Sequence, residues 1–368
     1  MTEGDATDPT EGADGADVAD TADTTDREVE TSSDRYVYHV DGDLVPASEA
    51  TVSVRDRGFM YGDAAFETLR AYGGRVFEWD AHARRLTETC DVLGLDHGLS
   101  TEDLHGRVAE TLAANDLAEA YVRLSVTRGV QPGKLTPSAE VDPTVVVVVK
   151  GLPRGGRGSD PVWDGPATLQ TVKTRRVPDR AIPSKAKTHN YLNGILARLE
   201  LRVTGADEAL VLDSEGYVAE GATSNVFFVD DDALCTPSLD GPVLPGVTRD
   251  VVIELAREEG IPVREGRYTP DDVRGASEVF LTNTTWELRP VATVDGIDSG
   301  GGPVTTLLSR LFDERVERTH YGGGTGGESG MGSDDTGDSD GGDENAHDAT
   351  VDNQWDVGDG EGSRADDG

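Results

Sequence analysis

A chain of 368 residues with a formal charge of −38 lacks the broad basic face that nucleic-acid binding normally uses. Its longest apolar run, TVVVVV (144–149), is far too short to span a bilayer. Its two cysteines, Cys90 and Cys235, stand in no metal-type spacing, so neither a metal site nor a disulfide framework is expected, and a reducing, cytoplasmic compartment fits.

The charge is unevenly placed. Residues 1–34 and 322–368 together hold 26 acids and two bases, −24 of the −38, which leaves −14 for residues 35–321. Both ends are rich in Asp, Gly, Thr and Ser and poor in large apolar residues. Such segments bury too little surface to offset the entropy of ordering, and they are expected to be disordered acidic tails. The first 34 residues also lack the basic start and apolar run of a signal peptide. The acidic, lysine-poor middle suits solubility in high salt and suggests a halophilic source.

Two halves are expected, at about 35–150 and 167–321, joined by the Gly- and Pro-dense linker GLPRGGRGSDPVWDGP (151–166). In the first half YVYHVDGDLV alternates as an opening hairpin. WDAHARRLTETCDVLGL has helical spacing, with Ala83, Leu86, Cys90 and Leu93 on one side. YVRLSVTRG and PTVVVVVKGL read as strands. In the second half ALQTVKTRRV is a strand, and NYLNGILARLELRV is a helix starting near Asn190 with Leu192, Ile195, Leu196 and Leu199 on one face. EALVLDSEGYVAEG is a hairpin turning at residues 214–216. TRDVVIELAREEG is a helix with Thr248 as expected cap and Gly260 as stop, and SEVFLTNTT is a further strand. No internal repeat, phosphate-binding P-loop or dinucleotide fingerprint is present.

The chemistry-bearing residues begin with lysine. The chain has five, at 134, 150, 173, 185 and 187, against 28 arginines, yet Lys185 and Lys187 stand two residues apart before a helix. A desolvated lysine amine can form an imine with an aldehyde. VLPGVTRDVV opens another helix from a glycine turn, so the amides of Val247 and Thr248 and the Thr248 hydroxyl would face an anion. FLTNTTWELRP ends a strand with Thr282, Thr284 and Thr285 in reach of the same anion. HARRL offers Arg84 and Arg85, one of which could clamp a phosphate. Glu220, beside Gly221 at a strand end, could hold a proton on a pyridine nitrogen. An imine-forming lysine, a phosphate cradle and such a carboxylate together describe a site for pyridoxal phosphate.

Four motifs then occur in one order: RDRGFMYGDAAFETLR; HARRL; KTHNYL with ADEALVLDSEGYVAEGATSNVFFV; and LPGVTRD with VFLTNTTWELRPV. Over residues 36–321 the chain resembles the class IV, fold type IV, pyridoxal-phosphate enzymes, which include branched-chain aminotransferases, D-amino-acid aminotransferases and aminodeoxychorismate lyases. The resemblance implies an α/β (α+β) two-domain fold with the cofactor between the domains, and a homodimer whose active site borrows from the partner. It makes Lys187 the cofactor-linked lysine and Lys185 a solvated neighbour. It puts Glu220 on the pyridine nitrogen and Tyr191 on the ring hydroxyl. Arg85, Val247, Thr248 and Thr284 hold the phosphate.

On the substrate side Tyr61, Phe66, Tyr121 and Arg123 resemble the branched-chain pocket, and Phe66 replaces the tyrosine of D-amino-acid enzymes. Arg128, in TRG, resembles the lyase and D-amino-acid branches, and a hydroxyl at Thr68 would suit proton relay in a lyase. The favoured expectation is amino transfer between an amino acid, branched-chain-like, and a 2-oxo acid. Pyruvate elimination from 4-amino-4-deoxychorismate is the alternative, and a non-catalytic acidic interaction protein is the rival from another class.

Overall fold

The structure is a computed structural model that describes residues 35–154 and 161–322. The acidic tails up to residue 34 and from residue 323, read above as disordered, lie outside the described residues, as do residues 155–160 of the expected linker.

The opening alternation becomes a hairpin, β1 (Val37–Val40) and β2 (Asp43–Pro46). Its turn, Asp41-Gly42, has positive φ at both residues, the geometry that two-residue hairpins favour. Helix α1 (Arg57–Tyr61) is capped by Asp56 and stopped by Gly62 at φ +70°. Then come β3 (Ala64–Tyr72), β4 (Arg75–Val76), α2 (Trp79–Leu93), α3 (Thr101–Ala114), β5 (Ala120–Thr127) and β6 (Val145–Gly151). The six strands form one antiparallel sheet in the order β2-β1-β6-β5-β3-β4. Although β6 opens as an unbroken run of valine, the pleat buries Val145, Val147 and Val149 more deeply than Val146 and Val148. They pack with Leu69, Leu86, Cys90, Leu104 and Val108, which seats α2 and α3 on the sheet.

The second sheet begins at β7 (Ala167–Arg175). It is followed by α4 (Leu192–Leu201), β8 (Glu208–Leu212), β9 (Val218–Gly221), β10 (Asn225–Asp230), β11 (Ala233–Pro237), α5 (Val247–Glu258), β12 (Val263–Gly266), α6 (Pro270–Arg274), β13 (Glu278–Asn283), β14 (Glu287–Val294), β15 (Ile297–Asp298) and α7 (Pro303–Val316). Its order is β12-β11-β10-β13-β14-β7-β8-β9, with β15 on β14. Parallel pairs at β11–β12, β14–β7 and β7–β8 make the sheet mixed.

The two sheets meet through packed side chains. Tyr72 and Phe77 of the first half share a core with Phe227, Val252, Phe280 and Phe312 of the second. Arg70, fully buried on β3, donates to the Pro153 carbonyl at 2.6 Å and the Thr285 carbonyl at 3.3 Å.

Two local expectations change, and one face is oriented. Helix α4 starts at Leu192, two residues after Asn190, and Thr248 lies inside α5, whose N-cap is Gly246. The apolar face of α4 is also turned outward. Ala197 and Leu201 are buried with Val172, Ala209 and Val211, whereas Leu192 and Ile195 are 59% and 54% exposed. The close approach of α4 to β7 and β8 selects the small residue Ala197 for the inner face.

Candidate active site

Three cavities of about 300, 60 and 410 Å³ meet at Lys187 and Tyr191, which line all of them. The Lys187 amine lies 3.1 Å from the Tyr191 hydroxyl and 4.6 Å from the centre of the Phe66 ring. The backbone here belongs to neither sheet proper. Phe66 N–H donates to the Lys187 carbonyl at 3.0 Å and His189 N–H to the Ala64 carbonyl at 3.0 Å, so residues 187–189 lie along the free edge of β3. Lys185, two residues earlier, is exposed.

Glu220 and Arg176 line the 300 Å³ cavity with Lys187. Glu220 lies on the short strand β9. One carboxylate oxygen accepts from Leu244 N–H at 2.9 Å, and the other pairs with Arg176 Nε at 2.7 Å. Burial raises the Glu220 pKa, and Arg176 opposes that rise. The Leu244 amide and the Lys187 charge oppose it as well.

The 60 Å³ cavity is the phosphate-sized end. Arg85, Gly246, Val247, Thr248, Thr282 and Thr284 line it. Helix α5 enters from Gly246 with no side-chain cap, leaving the first-turn amides free for an anion. A Cβ on Gly246 would come 2.0 Å from Asn225 Oδ1, so only glycine lets the turn pass there. Thr282 Oγ1 is buried with no hydrogen-bond partner among the described residues. A buried hydroxyl without a partner is costly. Together with Arg85 and the uncapped amides, it fits a phosphate whose oxygens would complete all three. Thr285 does not join them, because its hydroxyl donates to Asn283 at 3.1 Å.

Arg85 is held by residues that sequence reasoning missed. Glu67 accepts from Arg85 Nε at 2.8 Å and Nη2 at 2.6 Å, while His82 Nδ1 lies 2.8 Å from the same carboxylate. Burial alone would raise the Glu67 pKa, but the Arg85 guanidinium outweighs it and holds the carboxyl at about 2. Burial lowers the His82 pKa, and the Glu67 carboxylate opposes that fall. The remaining arm of Arg85 donates to the Pro245 carbonyl at 2.7 Å, beside the mouth of α5. The available signal was an acid at the centre of an otherwise apolar strand, AAFETL, with a His–Arg pair one helical turn apart. Arg84, the other candidate in HARRL, is exposed.

The 410 Å³ cavity holds Phe66, Thr68, Tyr121 and Arg123 together with Trp286 and His189. Arg123 stacks on Phe66 with its guanidinium carbon 3.8 Å from the ring centre, and no carboxylate among the described residues pairs with it. Burial, with the Arg123 charge, lowers the His189 pKa to about 4, so this ring is neutral at pH 7.

Two expected substrate contacts lie elsewhere in the chain. Arg128 is buried but fully engaged: it pairs with Asp63 and donates to the Leu93 and Gly94 carbonyls at the end of α2. Tyr61 sits exposed on α1 under Arg57, because the left-handed Gly62 turns β3 away from that helix.

The model of the family described as amino-transferase class IV matches residues 64–294. A relative from Methanocaldococcus jannaschii, provisionally named a branched-chain-amino-acid aminotransferase, is 40% identical over 287 residues, 77% of this chain and 97% of its own. A D-alanine aminotransferase from Listeria monocytogenes serotype 1/2a is 33% identical over 286 residues, covering 76% of this chain and 96% of its own. The branched-chain amino acid aminotransferase of T.th., solved with pyridoxamine 5'-phosphate, superposes with a TM-score of 0.72 at 33% identity, over 78% of this chain and 97% of that one. With a lysine, a carboxylate and an anion cradle converging on one set of cavities, and with these similarities, the chain belongs to the class IV aminotransferases, which depend on pyridoxal phosphate.

Proposed function

We propose that this enzyme moves an amino group between a branched-chain-type amino acid and a 2-oxo acid, with Lys187 as the catalytic amine. The observation that carries the reading is the meeting of three cavities at Lys187 and Tyr191, each lined for a different part of the reaction. Bound pyridoxal phosphate supplies an electron sink for negative charge at the substrate Cα. Arg85, Thr282, Thr284 and the first turn of α5 would hold its phosphate, and Glu220 would hold a proton on its ring nitrogen. The Lys187 amine would take the Cα proton and hold it for delivery to the carbon that takes up the amino group. Tyr191, 3.1 Å from that amine, orients it.

The pocket supports the substrate class. Phe66, Tyr121 and Trp286 give aromatic walls for an apolar side chain, while Arg123 offers an uncompensated cation for a carboxylate. Glutamate-dependent transamination of 2-oxoisocaproate tests the proposal. Release of 4-aminobenzoate from 4-amino-4-deoxychorismate, without amino transfer, would replace it by the lyase reading. Lys187→Ala is expected to abolish the visible absorbance of the loaded protein and Lys185→Ala to keep it; the reverse would overturn the choice of lysine.

We also propose a homodimer. The outward face of α4 and the exposed Phe59, Met60 and Tyr61 of α1 are apolar surface of the kind that a second copy covers. Cys90 and Cys235 are both buried and free, which supports a reducing, cytoplasmic location. No helix among the described residues is long and apolar enough to cross a membrane.

A further inference from the structure

Both backbone polar groups of Lys187 are fixed from the first half of the chain. Its carbonyl accepts from Phe66 N–H, and its N–H donates to the Thr89 hydroxyl oxygen at 3.0 Å. Thr89 is fully buried on α2, one turn beyond Arg85. Its own proton goes to the Arg85 carbonyl at 2.9 Å. A mid-helix threonine commonly spends its proton on the carbonyl four residues back. The oxygen lone pairs then have no use within the helix, and here one of them takes the Lys187 amide. A single helical turn therefore carries both the phosphate-end arginine and the anchor of the reacting lysine's backbone.

We propose that Thr89 is a positioning residue for Lys187. Through the Lys187 amide, it sets the backbone from which the amine reaches the substrate Cα, at a spacing from Arg85 fixed by one turn of α2. A small displacement of a proton-transfer group costs far more in the chemical step than in ground-state binding. The role therefore belongs to turnover rather than to substrate affinity. It requires no contact between Thr89 and substrate or cofactor, and Thr89 lines none of the three cavities.

The test compares Thr89→Val, which keeps shape and removes the acceptor, with Thr89→Ser, which restores it. The first readout is the pH midpoint of the visible absorbance of the pyridoxal-phosphate-loaded protein, which follows the proton at Lys187 Nζ. Thr89→Val is expected to move that midpoint by about half a pH unit or more and to lower kcat about tenfold, with KM changed less than about twofold. Thr89→Ser is expected to return both to the parent's values. A Thr89→Val protein with a lower unfolding temperature but the parent's midpoint and kcat would show a merely structural threonine and overturn the proposal. Should the valine variant fail to fold, Thr89→Ala is compared with Thr89→Ser, and equal midpoints in those two would overturn it equally. The inference rests on Lys187 as the reacting amine, and Lys187→Ala separates the two claims. Loss of absorbance in Lys187→Ala alongside an unperturbed Thr89→Val defeats only the role of Thr89, whereas retained absorbance in Lys187→Ala defeats both.

Discussion

At the scale of single residues the site depends on two buried carboxylates, each facing an arginine. Glu67 has a folded pKa of about 2, below its ordinary 4.5. A depressed acid stabilises the fold above its unfolded pKa, and that contribution is lost as pH falls from about 4.5 towards 2. At about 1.4 kcal/mol per pH unit the gap corresponds to about 3 kcal/mol. Glu67→Gln is expected to destabilise the protein by about 3–5 kcal/mol at pH 7, because Arg85 is left buried without its anion. Urea unfolding from pH 7 to pH 2 would check this, since the variant should lack the parent's loss of stability below pH 4.5. Glu220 is the opposite case, an acid raised by burial and restrained by Arg176. Removing that cation in Arg176→Met should raise its pKa further. The acidic limb of the kcat–pH profile is then expected to move to higher pH, with activity partly recovered in alkali. An unmoved limb would show that Arg176 does not control Glu220. Both pairings escaped the sequence reading for the same reason. Arg85 and Glu67 lie 18 residues apart on different elements, and Arg176 reaches Glu220 from beyond the end of another strand.

At the scale of elements the anion site is a property of how α5 begins. Asn225 Nδ2 donates to the Leu244 carbonyl at 3.0 Å, pinning the turn before Gly246. The same side chain fills the space where a Cβ at 246 would stand. Gly246→Ala is therefore expected to displace the turn and weaken binding of pyridoxal phosphate to the apo-protein by about tenfold or more. Equilibrium dialysis measures that directly, and an alanine variant with unchanged affinity would refute the cradle. The helix itself was legible from its apolar spacing and from Gly260, which stops it at φ +74°. The cap was not legible, because a threonine two residues into a helix and a threonine at its cap look alike in sequence. The geometry gives the cap to Gly246 and leaves the Thr248 hydroxyl in the phosphate-sized cavity.

At the scale of the whole molecule, the outward face of α4 sets an expectation for assembly. Ile195→Glu combined with Leu199→Glu would place two charges on that face, where both residues are exposed in the single chain. The folded chain is expected to keep its unfolding temperature within a few degrees but to lose self-association in sedimentation velocity, since exposed substitutions have little effect on the fold and a large one on an apolar interface. A parent that sediments as a monomer would remove the proposal. The amphipathic spacing of α4 was visible in the sequence, but periodicity says only that one face is apolar and not whether it faces the core or a second copy. The sequence by itself determined the opening hairpin, the strands β5 to β9 and β13, the helices α2, α4 and α5 and the order of the chemistry-bearing motifs, because turn residues, apolar periodicity and residue chemistry act locally. Only the tertiary structure decided that Arg128 is spent on Asp63, that Tyr61 points away from its own site, and that Thr89 grips a lysine 98 residues further on. Those outcomes depend on which backbone and side-chain groups still lack a partner once the sheets have packed, and no local pattern encodes that.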